Sequence, residues 1–122
     1  MKVRIKGNSI RIRLEQNEMG RLQTSGRVEE KTDLGLTKDE FIRYVVQKSS
    51  RLDIRAFFRS NEIKIEIPRA LVDQWAESEM TSLESIQEIK EGTYLKILIE
   101  KDLKPLLDRK EQEDWFPNPK AE

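Results

Sequence analysis

The chain has 122 residues, 36% of them hydrophobic and 38% charged, with 23 Lys and Arg against 23 Asp and Glu. This composition suffices for one folded core, and a net charge of zero is unusual for a dedicated nucleic-acid-binding protein. Cysteine and histidine are absent, which excludes disulfides, thiolate nucleophiles, Ser-His-Asp triads and Cys- or His-ligated metals. A bound metal would need oxygen ligands, as Mg²⁺, Ca²⁺ and Mn²⁺ do. No apolar run approaches the roughly 20 residues of a membrane helix and no signal peptide is evident, so we expect a cytoplasmic protein without a membrane partner.

The balanced charge is unevenly distributed along the chain. Residues 1–64 hold 15 Lys and Arg against 9 Asp and Glu, a net charge of +6, whereas residues 65–122 hold 8 against 14, a net charge of −6. Because opposite charges attract, we expect the two halves to face each other in part. A local patch of one sign is therefore compatible with zero net charge.

Residues 2–14, KVRIKGNSIRIRL, alternate between apolar and polar positions on either side of a Gly7-Asn8 pair. A period of two places each set on its own face of a strand, and Gly-Asn suits a tight turn, so we predict a β-hairpin. We name it the basic hairpin, because its outward face carries five cations and no acid: Lys2, Arg4, Lys6, Arg11 and Arg13. Like charges on adjacent strands are unfavourable unless acids or an anion lie nearby. Two interpretations stay open: a solvated face neutralised by acids from neighbouring strands, or an anion-binding surface.

The next elements are a helix and two strands. Residues 15–24 have helical apolar spacing and early acids, and Gly26 ends the helix. Residues 27–34 are mostly charged, which predicts an exposed or edge strand. Residues 41–47, FIRYVVQ, are rich in β-branched and aromatic residues and predict a further strand.

A second hairpin is predicted over residues 54–67, with its turn at Ser60-Asn61. Its strands repeat the alternation of apolar and charged positions seen in the basic hairpin. On the outward face we expect two acids to neutralise two arginines: Glu62 and Glu66 against Arg55 and Arg59.

The remaining elements follow Pro68, which ends the second hairpin and suits the first turn of a helix. That helix is predicted over residues 70–79, with Trp75 as an anchor against the sheet. Residues 82–89 fit either a short helix or a strand. Residues 93–101, TYLKILIEK, are the most strand-like run, so we predict that they lie centrally in the sheet.

Together these elements predict an α+β fold, an antiparallel sheet of about six or seven strands, curled or barrel-like, with two short helices. Residues 1–104 are predicted to form a single domain, and residues 105–122 an acidic, Pro-containing C-terminal tail. Trp115 and Phe116 are adjacent aromatics in this polar tail, which favours its packing on the domain. A short recognition motif for a partner is the alternative.

Five segments together resemble a group of small bacterial proteins known only as a domain of unknown function: GNSIRIRL (7–14), GRVEE (26–30), WAES (75–78), LKILIEKD (95–102) and FPNP (116–119). This resemblance spans nearly the whole chain and implies a single domain, but it implies no activity and no site residues. The chain is more distantly similar to the triphosphate-tunnel fold, in which antiparallel strands close around a charged interior that binds polyphosphate. That family has Glu-x-Glu-x-Lys on its first strand, where this chain has Lys2-x-Arg4-x-Lys6.

For function, we expect a binding or interaction module rather than an enzyme, with the basic hairpin as the binding surface for an anionic small molecule or a protein partner. We expect no cofactor, and no nucleic acid, because aromatic residues do not interleave with the cations. The alternative is a metal-dependent enzyme acting on a phosphorylated substrate, with Mg²⁺ held by Glu62, Glu66 and Glu100. A third hypothesis is an interaction protein whose acidic tail covers its own basic hairpin or that of a neighbouring chain.

Overall fold

The computed structural model describes residues 1–104 and 116–120, and this part of the chain contains eight strands and two helices. In chain order these are β1 (Lys2–Lys6), β2 (Ser9–Leu14), α1 (Gln16–Ser25), β3 (Arg27–Asp33), β4 (Phe41–Ser49), β5 (Arg55–Arg59), β6 (Glu62–Pro68), α2 (Arg69–Ala76), β7 (Ser82–Lys90) and β8 (Thr93–Lys101). Both predicted hairpins and both predicted helices are confirmed. Residues 82–89, which fitted either a helix or a strand, form part of β7.

The strands form two four-stranded sheets, sheet I in the order β1-β2-β8-β7 and sheet II in the order β3-β4-β6-β5. Each sheet joins two antiparallel hairpins through a parallel central pair, β2 with β8 and β4 with β6. The α+β class with two helices is confirmed, and β8 does lie centrally. The prediction of a single antiparallel, barrel-like sheet of six or seven strands was wrong. Sequence alternation indicates which strands form hairpins, but it does not indicate which hairpins lie side by side.

The order of elements repeats within the chain. A unit of two strands, one helix and two strands runs from β1 to β4, and the same unit runs again from β5 to β8. Each sheet takes one hairpin from each unit. The two units are therefore interlocked, and neither contains a complete sheet.

The core lies between the two sheets and is closed at one end by the helices, which begin where β2 and β6 end. Its members come from both sheets and both helices, among them Ile12, Ile65, Leu22 and Val72. Trp75 of α2 is 0% exposed within this cluster, which confirms it as a core anchor. Because the space between the sheets is filled by apolar side chains, the likeness to a fold with a charged interior does not extend to the core.

Two local features end helix α1 and connect the edge strands of the two sheets. Gly26, at φ 79°, ends α1, and its amide donates to the Leu22 carbonyl at 3.0 Å. The inward-facing Gln87 connects the edge strand β7 of sheet I to the edge strand β5 of sheet II. Its Oε1 accepts a hydrogen bond from the Ala56 amide at 2.7 Å, and its Nε2 donates one to the Ala56 carbonyl at 3.0 Å. One side chain thus substitutes for a backbone ladder between β5 and β7.

The predicted packing of residues 105–122 on the domain falls mainly outside the described residues. Within them, Phe116 is 96% exposed. Packing of the tail therefore stays a prediction.

Replacing Gln87 by Leu tests the bridge between the sheets. Gln87→Leu should lower the free energy of unfolding by about 1–3 kcal/mol, because the partly buried amide and carbonyl of Ala56 lose their partners. Urea unfolding followed by tryptophan fluorescence measures the change. The exposed neighbour Glu88 provides the matched control, Glu88→Leu, which should change stability by less than about 0.5 kcal/mol. Equal effects of the two variants would contradict the bridging role.

Candidate anion-binding site

The basic hairpin has the register that its alternation predicted. Lys2 lies opposite Arg13, Arg4 opposite Arg11, and Lys6 opposite Ser9, so the five predicted cations share the outer face of sheet I. The chain reverses at Gly7, whose φ of 54° suits glycine. Like charges lie directly opposite each other across this hairpin, an arrangement that is destabilising without a counter-charge.

A sixth cation joins this surface from the far end of the chain. The parallel pairing of β2 with β8 places Lys96 beside Ser9 on the same outer face. The turn is held against β8, because the Lys96 amide donates to the Asn8 carbonyl at 2.9 Å and the Asn8 Nδ2 donates to the Tyr94 carbonyl at 3.1 Å. We name the surface formed by Lys2, Arg4, Lys6, Arg11, Arg13 and Lys96 the basic face. Sequence alternation placed Lys96 outward on its strand, but the neighbouring strand was not predictable from it.

One part of the basic face is neutralised by acids from β8 and the residue after it. Glu100 Oε1 accepts hydrogen bonds from Arg11 Nε at 2.6 Å and from Arg13 Nε at 2.5 Å. Lys2 Nζ lies 2.8 Å from Asp102. All three pairs join a cation of the N-terminal half to an acid of the C-terminal half, as the opposite net charges of the halves led us to expect. The solvated-face interpretation therefore holds for this part.

These contacts lower the pKa values of both acids. Partial burial alone would raise the pKa of Glu100, but the hydrogen bonds from Arg11 and Arg13 outweigh it and hold that pKa below its ordinary value. The pKa of Asp102 is lowered chiefly by its hydrogen bond to Lys2. Both carboxylates thus stay ionised at neutral pH and act as fixed counter-charges.

The other part of the basic face has no such acids. Among the described residues, no carboxylate lies within ion-pair distance of Arg4, Lys6 or Lys96. These three side chains, with Ser9 and Arg11, line a shallow depression of about 230 Å³. Cationic side chains around a hollow can donate charge-assisted hydrogen bonds to a phosphate, sulfate or carboxylate group.

The outer face of sheet II provides an internal comparison, since three of its cations, Arg27, Arg43 and Lys64, lie within ion-pair distance of acids. Arg43 lies 3.5 Å from Glu29 and 3.7 Å from Glu62, and Lys64 lies 3.9 Å from Glu66. Register does place Arg55 opposite Glu66 and Arg59 opposite Glu62. The expected ion pairs of those two arginines are nevertheless not formed; Glu62 instead lies within ion-pair distance of Arg27 and Arg43, and Glu66 within that of Lys64.

The alternative metal site is not assembled. Glu62 and Glu66 lie on the outer face of sheet II, whereas Glu100 lies on the outer face of sheet I, so the core separates them. Within residues 1–104 and 116–120, no group of three acids is close enough to hold a metal ion. Alternation correctly placed all three carboxylates outward, but outward faces of two packed sheets point in opposite directions.

Comparison with known proteins identifies a family. The model of a family described as "Family of unknown function (DUF7009)" matches residues 1–120, which confirms the resemblance to a family without an assigned activity. Comparisons with curated proteins and with solved structures find no match. Neither helix in the described part of the chain has the length and apolarity needed to cross a membrane.

The lowered pKa of Glu100 predicts an acid-dependent contribution to stability. A carboxylate whose folded pKa is depressed stabilises the fold above its unfolded pKa, near 4.3 for Glu, and this stabilisation is lost as pH falls through the folded pKa. Glu100→Gln should therefore be less stable than the parent protein at neutral pH, and the difference should shrink towards about pH 3. Urea unfolding across this range measures it. Ile86→Ser, on the same face but without a titrating group, is the control, and a Glu100→Gln difference that stays constant with pH would contradict the assignment.

Proposed function

The chain thus belongs to DUF7009, a family of unknown function, and we propose from its own surface that it is a small binding module for an anionic ligand or for an anionic group of a protein partner. The anion occupies the depression between Arg4, Lys6 and Lys96. The single observation that carries this proposal is the absence of ion pairs at these three cations within the described residues, while the acids Glu100 and Asp102 are held by other cations of the same face.

The electrostatics of the hairpin support this reading. Arg4 and Arg11 are register partners on adjacent strands, and Lys6 and Lys96 flank Ser9 from either side. Cations at such short separations repel each other. An anion between them offsets this repulsion and forms charge-assisted hydrogen bonds that are stronger than neutral ones.

Arg11 is already oriented for such a ligand. Glu100 accepts from its Nε atom, Arg11 lines the depression, and within the described residues its two terminal amino groups donate no hydrogen bond. A guanidinium fixed in this way loses less conformational entropy when it binds an anion than a free one does. Glu100 therefore acts as a positioning residue, in addition to being a counter-charge.

Removing cations from the depression tests the proposal. Tripolyphosphate and inorganic phosphate serve as probes, in thermal-shift and calorimetric titrations at low salt. We expect stabilisation of the parent protein that weakens in about 0.5 M salt, because exposed charges are then screened. Arg4→Gln combined with Lys6→Gln should weaken binding at least about tenfold, since two charge-assisted contacts are lost.

The outer face of sheet II offers the matched control. Arg55→Gln combined with Arg59→Gln removes the same charge from an outward strand position and should leave affinity for the probes unchanged. Equal weakening by the two double variants would indicate a response to net charge alone, and would overturn the site. No binding of either probe by the parent protein would contradict the proposed function itself.

A further inference from the structure

A second hollow lies at the end of the sandwich that the helices leave open. It is a cleft of about 360 Å³ between the two sheets, with an almost entirely apolar lining that includes Ile5, Ile10, Phe58, Ile63, Ile89 and Leu95. This volume falls within the range of small-molecule sites in proteins. We name it the apolar cleft.

Burial decreases from the helical end towards this cleft. Ile12 and Ile65, in the middle of β2 and β6, are fully buried, whereas Ile5 is 59%, Phe58 74% and Ile89 47% exposed. Single exposed apolar side chains are common on protein surfaces, but several around one concave site usually mark a place where something binds. The cleft therefore has the shape and the exposure of a site for an apolar group.

The apolar cleft and the basic depression adjoin each other. Ser9 and Ile10 line both of them, and the turn at Gly7-Asn8 belongs to the lining of the cleft. Two consecutive residues of β1 line different hollows, since Ile5 lines the cleft and Lys6 lines the depression. The two hollows are therefore separated only by the end of the β1–β2 hairpin.

We propose that the protein binds a single-chain anionic amphiphile, whose charged head group occupies the basic depression and whose alkyl chain bends over the β1–β2 turn into the apolar cleft. The head-group half of this inference rests on the proposed function. The cations of the depression adjoin one side of the apolar cleft. An occupant that carries a negative charge at one end and an apolar chain at the other therefore complements both linings. A concave cleft between two sheets suits a flexible chain better than it suits a flat bilayer surface.

The test compares octyl phosphate with ethyl phosphate by calorimetry, at concentrations at which octyl phosphate is monomeric. The two probes share a head group and differ only in chain length. Each methylene taken out of water contributes about fourfold to Kd, so partial burial of the longer chain should make octyl phosphate bind at least about tenfold tighter.

Variants of the cleft separate the two halves of the ligand. Phe58→Ser and Ile5→Thr change exposed side chains and should remove most of the advantage of octyl phosphate, while leaving the Kd of ethyl phosphate unchanged. Leu34→Ser is the matched control, since Leu34 is about as exposed as Phe58 but lines neither the cleft nor the depression. It should keep the full difference between the probes.

The outcomes distinguish this inference from the proposed function. Equal affinity for the two probes would overturn the amphiphile and leave the anion site standing. An unchanged Kd of octyl phosphate in Arg4→Gln with Lys6→Gln would overturn the head-group assignment, whereas the proposed function is decided by the titrations with tripolyphosphate and inorganic phosphate. If light scattering shows a dimer that Phe58→Ser dissociates, the occupant of the cleft is a second copy of the chain and the inference is overturned. The inference is also overturned if the protein sediments with anionic vesicles but does not bind octyl phosphate.

Discussion

The parallel pairing of β2 with β8 determines both the interior and the outer surface of sheet I. It places Ile12 beside Ile99, so that the two central strands present one continuous apolar face to sheet II. The same register places Lys96 beside Ser9 on the opposite face and thereby completes the basic face. Because side chains alternate with a period of two, a shift by one residue would turn the apolar set towards water and the charged set towards the core. The core and the candidate site therefore follow from one alignment of two strands.

Much of the local structure could be predicted from the sequence, since alternation and turn residues act over a few positions. The basic hairpin, the second hairpin and the role of Trp75 follow from such patterns. β7 was ambiguous for a physical reason: its inward-facing Gln87 bonds to backbone instead of filling the core, and its Ile86 faces outward, so its alternation is obscured. The parallel pairs were not predictable, because nothing in a local pattern specifies a partner strand that lies far away in the chain.

The candidate site was predicted in the same partial way. Alternation placed all five cations of the hairpin on one face, but it could not say which of them meet acids. The structure separates them into two groups, because Glu100 of β8 lies beside Arg13 and pairs with both Arg11 and Arg13, whereas at the other end of β8 a cation, Lys96, lies beside Ser9. The apolar cleft had no sequence signal at all, since its lining side chains have the same pattern as those of the core. What distinguishes several of them is their exposure around the cleft, which is a property of the tertiary structure.

The interlocking of the two β-β-α-β-β units has a consequence for how the protein forms. Sheet I pairs the β1–β2 hairpin with the β7–β8 hairpin, so the contact of β2 with β8 closes a loop that contains both helices and five strands. Contacts between residues so far apart in sequence carry a large loop-closure cost and slow folding. During synthesis the basic hairpin emerges long before β8. Until β8 is made, β2 lacks its parallel neighbour, and Arg11 and Arg13 lack the carboxylate of Glu100. The basic face, with its counter-charges, is thus among the last parts of the described fold to form, after β8 has paired with β2.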